Sequence, residues 1–376
     1  MKYWRGYLTA AVFAAITWGL MQLGTQFTTL VDMIYPYVIR TLQTMLAQWS
    51  SGVDFVLWQV LAVVFGLLAL ASLVLMIVLK WNPVQWFGWI LAVCSGVFML
   101  NTLVFGLIHY AGPLAEDIRL DVVEYNVDEL TEAAIYYRDK ANELAKQVNR
   151  DASGNVQFSE FHVLAEQAGD GFEAMVYDRS FPVFAGSRLP VKELGWADLY
   201  TNLGITGVTV GITGESAVNP QIPDVILPFT MAHEMAHRMC IATETDASFA
   251  SILTCVANES IEYRYSGYFV AYRYCYNALA SSHIQNASAA AARVSAGVSD
   301  ELYRDMVNYD KFFTGVGGSG SESGTDAGFG TMCDLLVSWH IQEVVLPSIS
   351  VVEERFDPMD ESQVDLTGIV NAGAVG

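Results

Sequence analysis

Apolar residues crowd into the first third of the chain. Residues 7–23, 55–79 and 84–108 are nearly unbroken hydrophobic runs. A hydrocarbon core roughly 30 Å thick takes about 20 helical residues to cross, so each run is of a length to be a membrane span. The first also has the length and the leading Lys2 and Arg5 of a signal peptide. No small-x-small cleavage site follows it, however, and it reads as an uncleaved span. Between the first two runs, "YPYVIRTLQTMLAQW" repeats apolar residues at Val38, Leu42, Met45 and Trp49, a stripe that suits a helix lying in the membrane interface.

After Tyr110 the pattern becomes amphipathic. Residues 118–148 set Val122, Val123, Val127, Leu130, Ala134, Ile135 and Leu144 among many charges, which predicts one or two amphipathic helices. A polar break at "NRDASGN" precedes a further helix over about 159–177. Pro182, Pro190, Pro220, Pro223 and Pro228 mark a looped region in which "GVTVGITG" alternates Val208, Val210 and Ile212 as a strand does. Helical periodicity returns from about 227 to 313, a Gly/Ser-rich insert follows, and a last helix runs over about 329–345. The pattern therefore predicts a mainly α chain, with a three-helix transmembrane region in 1–110 and a mostly helical α+β domain in 111–376.

Charge sharpens this division. Residues 1–110 carry four basic and two acidic residues, leaving 15 basic and 38 acidic in the remainder. Lys2 and Arg5 precede the first run and Lys80 sits in the "KWNP" turn between the second and third, and positive residues favour the cytoplasmic side. The N-terminus and the 80–83 turn are expected inside, and everything after Tyr110 outside. A domain this acidic repels phosphate backbones, which argues against nucleic acid as a partner and leaves the lipid bilayer as the first one. Cys240, Cys255, Cys275 and Cys333 all fall in the external part. They are compatible with disulfides or with buried free thiols, and their spacing matches no CxxC metal knuckle.

The chemistry is concentrated in "LPFTMAHEMAHRMCIATETDASFASILTC", residues 227–255. His233, Glu234 and His237 stand in HExxH order. On a helix, positions four apart lie on one face one turn apart, so both imidazoles can reach one ion, and zinc accepts imidazole nitrogen well. Glu234 points about 100° away from His233, where a carboxylate sits beside a metal-bound water and not on the metal. Arg238 departs from the uncharged residue usual after the second histidine. A catalytic zinc needs a third protein ligand and an open position. Thr243, followed three residues later by Asp246, reads as a capping box that opens a second helix, so the first helix is expected to end near Cys240 or Ile241 and the chain to turn back at once. Glu244, in the first turn of that second helix, is the preferred third ligand, with Asp246 next and Glu259 or Glu262 behind. Acidic residues also favour helix N-termini for electrostatic reasons alone. Tyr265, Tyr268, Tyr272 and Tyr276 form a helical stripe that suits a core, and His283 and His340 have no evident place.

The "ETDASFA" that follows HExxH resembles the ExxA third-ligand motif of the gluzincin metallopeptidases, although the gap there is usually much longer. More closely, "ITGESAVNPQIPDVILPFTMAHEMAHR", "ATETDASFASILTC" and "YRYSGYFVAYRYCYNAL" resemble a bacterial membrane family known as domain-of-unknown-function family 3810. The similarity extends more weakly from the N-terminal runs to the last helix. It implies a zincin-like fold behind N-terminal spans and sets His233, Glu234, His237 and Glu244 on that family's motif positions, without implying a substrate.

Together these readings predict a membrane-anchored, outward-facing zinc peptidase with Glu234 as general base. Its substrate would be a peptide or protein, held as an added strand beside "GVTVGITGESAVN". The rivals are an idle metal-binding scaffold and a zinc hydrolase of non-peptide cell-envelope material.

Overall fold

The computed structural model describes residues 4–282, 286–315 and 326–346. Lys2, His283, the centre of the Gly/Ser insert and the tail after 346 lie outside the described residues.

Among the described residues, three helices are long and apolar enough to cross a membrane: α1 (Arg5–Gln26), α3 (Leu57–Val78) and α4 (Pro83–Val104). A tight turn joins α3 to α4: Lys80 takes a left-handed conformation, Asn82 accepts from the Gln85 N–H at 3.1 Å, and Pro83 opens the helix. Glycines allow α1 and α4 to pack backbone to backbone. A Cβ on Gly6 would sit 2.4 Å from the Gly88 carbonyl carbon, and one on Gly24 would strike the Tyr110 ring. The same pairs fix direction. The start of α1 and the 80–82 turn share one end of the bundle, and the remainder of the chain continues from the other, as the distribution of Arg5 and Lys80 predicts.

The second helix, α2 (Thr28–Ser50), is longer than its sequence stripe and has two faces. Val38, Met45 and Trp49 point outward and are exposed, while Ile39, Arg40, Gln43 and Ala47 are buried. The Arg40 guanidinium donates to the carbonyls of Met239 and Pro182 (3.1 and 3.3 Å), and the Gln43 amide donates to Gly211 (2.9 Å). An outward apolar stripe, with an inward face that packs Ile39 and Ala47 and bonds through Arg40 and Gln43, is what a helix wedged between a bilayer surface and a protein domain requires.

The rest of the chain is α5 (Leu114–Asp117), α6 (Val127–Ala145), α7 (Phe161–Tyr177), α8 (Ala197–Asn202), α9 (Leu227–Arg238), α10 (Glu244–Ala257), α11 (Ile261–Ser281), α12 (Ala287–Ser295), α13 (Asp300–Gly315) and α14 (Asp326–His340). It also holds a small sheet of β1 (Lys192–Glu193), β2 (Gly207–Val210) and β3 (Glu215–Val218), in the order β1-β3-β2. β2 pairs antiparallel to β3 and β1 parallel to it. The core gathers around α9, α10 and α11. Of the tyrosine stripe on α11, Tyr265 and Tyr272 are fully buried, and Tyr268 and Tyr276 are partly buried and pack against the same core. The Tyr265 hydroxyl donates to Asp305, which pairs with Arg150 at 2.8 Å. Cys240, Cys255, Cys275 and Cys333 are buried free thiols.

Glu215, on β3, ties the sheet to the apolar helices. Its buried carboxylate accepts the Leu57 and Trp58 N–H groups at the start of α3 (2.8 and 2.9 Å) and pairs with Lys192 at 2.8 Å. The Lys192 ammonium also donates to the carbonyls of Ser50 and Phe55. An acid at a helix N-terminus is favoured, and removing it leaves a buried cation uncompensated, at about 3–5 kcal/mol. Glu215→Ala is therefore expected to lower unfolding stability in detergent by about that amount. A Glu215→Leu/Lys192→Met double variant, which leaves no orphan charge, should lose less than either single replacement. Equal or larger loss in the double variant would contradict the pairing.

Candidate metal centre

Two helix ends build the site. Pro228 opens α9, and Met231, Ala232, Met235 and Ala236 bury the helix between α10, the sheet and α7. It ends two residues earlier than the sequence predicts because Cys240 adopts the left-handed conformation (φ 68°). The N–H of Cys240 bonds the His237 carbonyl and that of Ile241 bonds Ala236, a closed C-terminal turn in which a cysteine occupies the position glycine usually fills. The turn delivers the Ile241 carbonyl to His237 Nδ1 at 2.9 Å. α10 starts at once. The Thr243 hydroxyl accepts the Asp246 N–H at 3.0 Å, so one half of the predicted box forms. Reciprocal capping, with both halves present, is found instead at Asn126 and Glu129 of α6.

This turn brings His233, His237 and Glu244 together, with one ligand atom of each within 4.8 Å of the others. The two Nε2 atoms are 3.1 Å apart, His233 Nε2 is 3.2 Å from one Glu244 oxygen, and His237 Nε2 is 3.6 Å from the other. A tetrahedral zinc with bonds of about 2.0–2.1 Å sets its donors about 3.4 Å apart, so these spacings fit. Each ring is steered from behind, His237 by the Ile241 carbonyl and His233 by the Ser248 hydroxyl at 3.2 Å from Nδ1. An imidazole that donates from Nδ1 presents a bare lone pair at Nε2. Lone pairs converging on a carboxylate repel unless a proton or a cation lies among them.

The electrostatics agree with that convergence. Hydrogen bonding to His233 and then His237 holds the Glu244 carboxyl far below the usual range. For His237, burial favours the neutral ring, yet Glu244, Glu234 and the Ile241 carbonyl outweigh it and raise its proton affinity. The Glu244 side chain is 84% exposed, so the cluster is open to solvent on its carboxylate side. His109, in the turn that continues α4, lies within electrostatic reach of His237 and Glu244. Burial foremost, and then His237, keeps it neutral.

Glu234 leaves the cluster toward the sheet. It is buried, and burial raises its pKa, opposed by His233, His237 and the Thr209 hydroxyl. Thr209 of β2 donates to the Glu234 carboxylate at 2.7 Å and lies 2.8 Å from its backbone carbonyl, which Ser216 of β3 also meets at 2.8 Å. Gly207 makes room for the arrangement, since a Cβ there would lie 2.4 Å from Glu234 Oε1. Thr209→Val keeps the β-branched shape and removes the donor that favours the carboxylate. It is expected to leave His233, His237 and Glu244 in place and to move the titration of the Glu234 carboxyl, followed by infrared spectroscopy, upward in pH, because the carboxylate has lost the donor that favours it. A downward shift would contradict this role for Thr209.

The other sequence candidates lie elsewhere. Asp246 lines a cavity of about 240 Å³ with Arg40, Asp117 and Thr243, and burial raises its proton affinity. Glu262 is buried and accepts from the Ser159 N–H and hydroxyl, and Glu259 is exposed in the α10–α11 turn. His340 packs against Tyr136 and Tyr137. Arg238 turns away from the cluster and donates to the carbonyls of Ser187 and Leu189; burial lowers its pKa to about 10. Thr209, Ser216 and Ser248 escape the sequence reading. Ser248 has a signal, since it follows Glu244 by four residues on one helix face.

A family described as a protein of unknown function (DUF3810) matches residues 31–322. The chain belongs to it. No curated protein and no solved structure matches. In this DUF3810 chain the matched segment begins within α2 and ends beyond α13, so the docking face of α2, the sheet and every residue of the cluster fall inside it.

Proposed function

We propose that this protein is a membrane-anchored zinc peptidase whose domain faces out of the cell. The observation that carries the reading is the convergence of His233, His237 and Glu244 at tetrahedral spacing around a solvent-open point, with buried Glu234 alongside. Zinc bound there would activate water and polarise the scissile carbonyl. Glu234 takes the proton from the attacking water and returns it to the leaving amine as the C–N bond breaks; burial and Thr209 set its proton affinity and direction. β2 is the outer strand in the order β1-β3-β2, and an extended substrate added to its open edge lies beside Glu234. A purely structural zinc usually has four protein ligands, whereas the cluster among the described residues has three.

The test compares new polypeptide termini in membranes of cells expressing wild type or Glu234→Gln, with metal content measured in both. Termini produced by wild type alone support the reading, and identical patterns overturn it. Orientation is tested separately. Reporter fusions in the 80–83 turn and after residue 346 are expected on opposite sides of the membrane, the turn inside. Both reporters on one side would refute the topology.

A further inference from the structure

We infer that the polypeptides this protein cuts are themselves membrane-anchored and are cut a few residues outside the bilayer, with their transmembrane segment seated in the groove between α3 and α4. The inference rests on the peptidase reading and adds the class of substrate.

The depth of the site is the first observation. The metal-bearing segment packs on the turn that continues α4 and is bonded to α2, which is itself bonded to the end of α4. Cys240, three residues after His237, packs on Ile108 and Ile39. The Tyr35 hydroxyl donates to the Leu103 carbonyl at 2.7 Å, and Arg40 reaches Met239. The β2–β3 turn rests on α4 so closely that a Cβ on Gly211 would lie 2.4 Å from the Phe105 Cβ. The site therefore stands at the end of the bundle where α4 leaves its apolar run, within reach of a chain that emerges beside α4.

The second observation is the groove. Among the described residues, α3 is fastened near its two ends. Glu215 and Gln59 fasten its start to the domain, and Trp86 Nε1 donates to Ser72 near the far turn at 3.1 Å. Between these points no residue of its apolar window is buried, and Gly66 faces open space. A groove of about 600 Å³ remains, walled by Phe65, Ala69, Val93, Val97 and Asn101 and ending under Ile212. Asn101 brings an amide to an otherwise apolar wall. A neighbouring helix can answer it with a polar group, whereas an acyl chain cannot.

Continuity joins the two. Ile212 stands two residues past β2, and Thr209 of β2 holds Glu234. Three strand residues span about 10 Å, so a segment leaving the groove at Ile212 and running along the β2 edge reaches Glu234 after about three to five residues. The bond cut should lie within about ten residues of the outer end of a transmembrane segment.

The experiment maps wild-type-specific termini, absent with Glu234→Gln, onto the membrane proteome and repeats the map with Ala69→Trp and Val97→Trp, which fill the groove from opposite walls. Zinc content and membrane level establish that each variant is folded. The expected result is termini clustered in the juxtamembrane window and reduced about tenfold in both filled variants, the loss of roughly one packed side chain. Termini scattered through soluble domains overturn the inference and leave the peptidase reading standing. Juxtamembrane termini that persist in both filled variants overturn the groove and assign it to lipid. No difference between wild type and Glu234→Gln overturns the peptidase reading and this inference with it.

Discussion

Replacing His237 or Glu244 by alanine is expected to empty the metal centre, lowering zinc affinity by more than about 100-fold, because loss of a partner behind a ligand already costs about 10–100-fold. The two variants should then diverge in stability. His237 is enclosed and bonded to the closing turn of α9, so His237→Ala also loosens the 239–243 segment. The Glu244 side chain is solvent-exposed and its truncation leaves α10 capped by Thr243, so Glu244→Ala should fold as wild type. Asp246→Ala provides the contrast. Its carboxylate faces the Arg40 cavity and not the imidazoles, so zinc should stay bound. Metal analysis of dialysed protein decides among these outcomes. Zinc lost with Asp246→Ala and kept with Glu244→Ala would reverse the assignment.

Glu234→Gln should give the largest loss of activity with the least disturbance. The amide keeps the shape and can still accept from Thr209, so the buried contact between α9 and β2 survives while the proton acceptor is gone. Loss of a general base is typically worth about 100-fold to 10,000-fold in turnover. Zinc content and thermal stability should match wild type. A variant that keeps full turnover with full zinc would assign the proton transfer to another group, and one that loses zinc would make Glu234 a ligand.

The parts legible in the sequence are those encoded by local pattern. Three long apolar runs announce three helices, because length and hydropathy alone meet the demand of a bilayer. Spacing of four places His233 and His237 on one helical face, and the Thr243 cap predicts the short turn that brings Glu244 to them. The rest depends on contacts between distant segments. β1 is only two residues long, and β3 is buried along its whole length and shows no apolar alternation in its Glu-Ser-Ala-Val sequence; both exist because β3 pairs on both sides. Glu215 reads as one acid among many until α3, more than 150 residues earlier, presents its first N–H groups. Thr209 looks like an ordinary strand residue until Glu234 of α9 is laid against it. The early end of α9 rests on a left-handed cysteine, which propensity disfavours and which the Ile241–His237 contact requires.

The central claim is that His233, His237 and Glu244 hold one divalent ion. The most direct measurement is elemental analysis of full-length protein purified in detergent, loaded with zinc, dialysed against metal-free buffer and compared with Glu244→Ala handled identically. The account predicts one zinc per wild-type chain and none per variant chain. Equal zinc in both, or none in wild type, would contradict it.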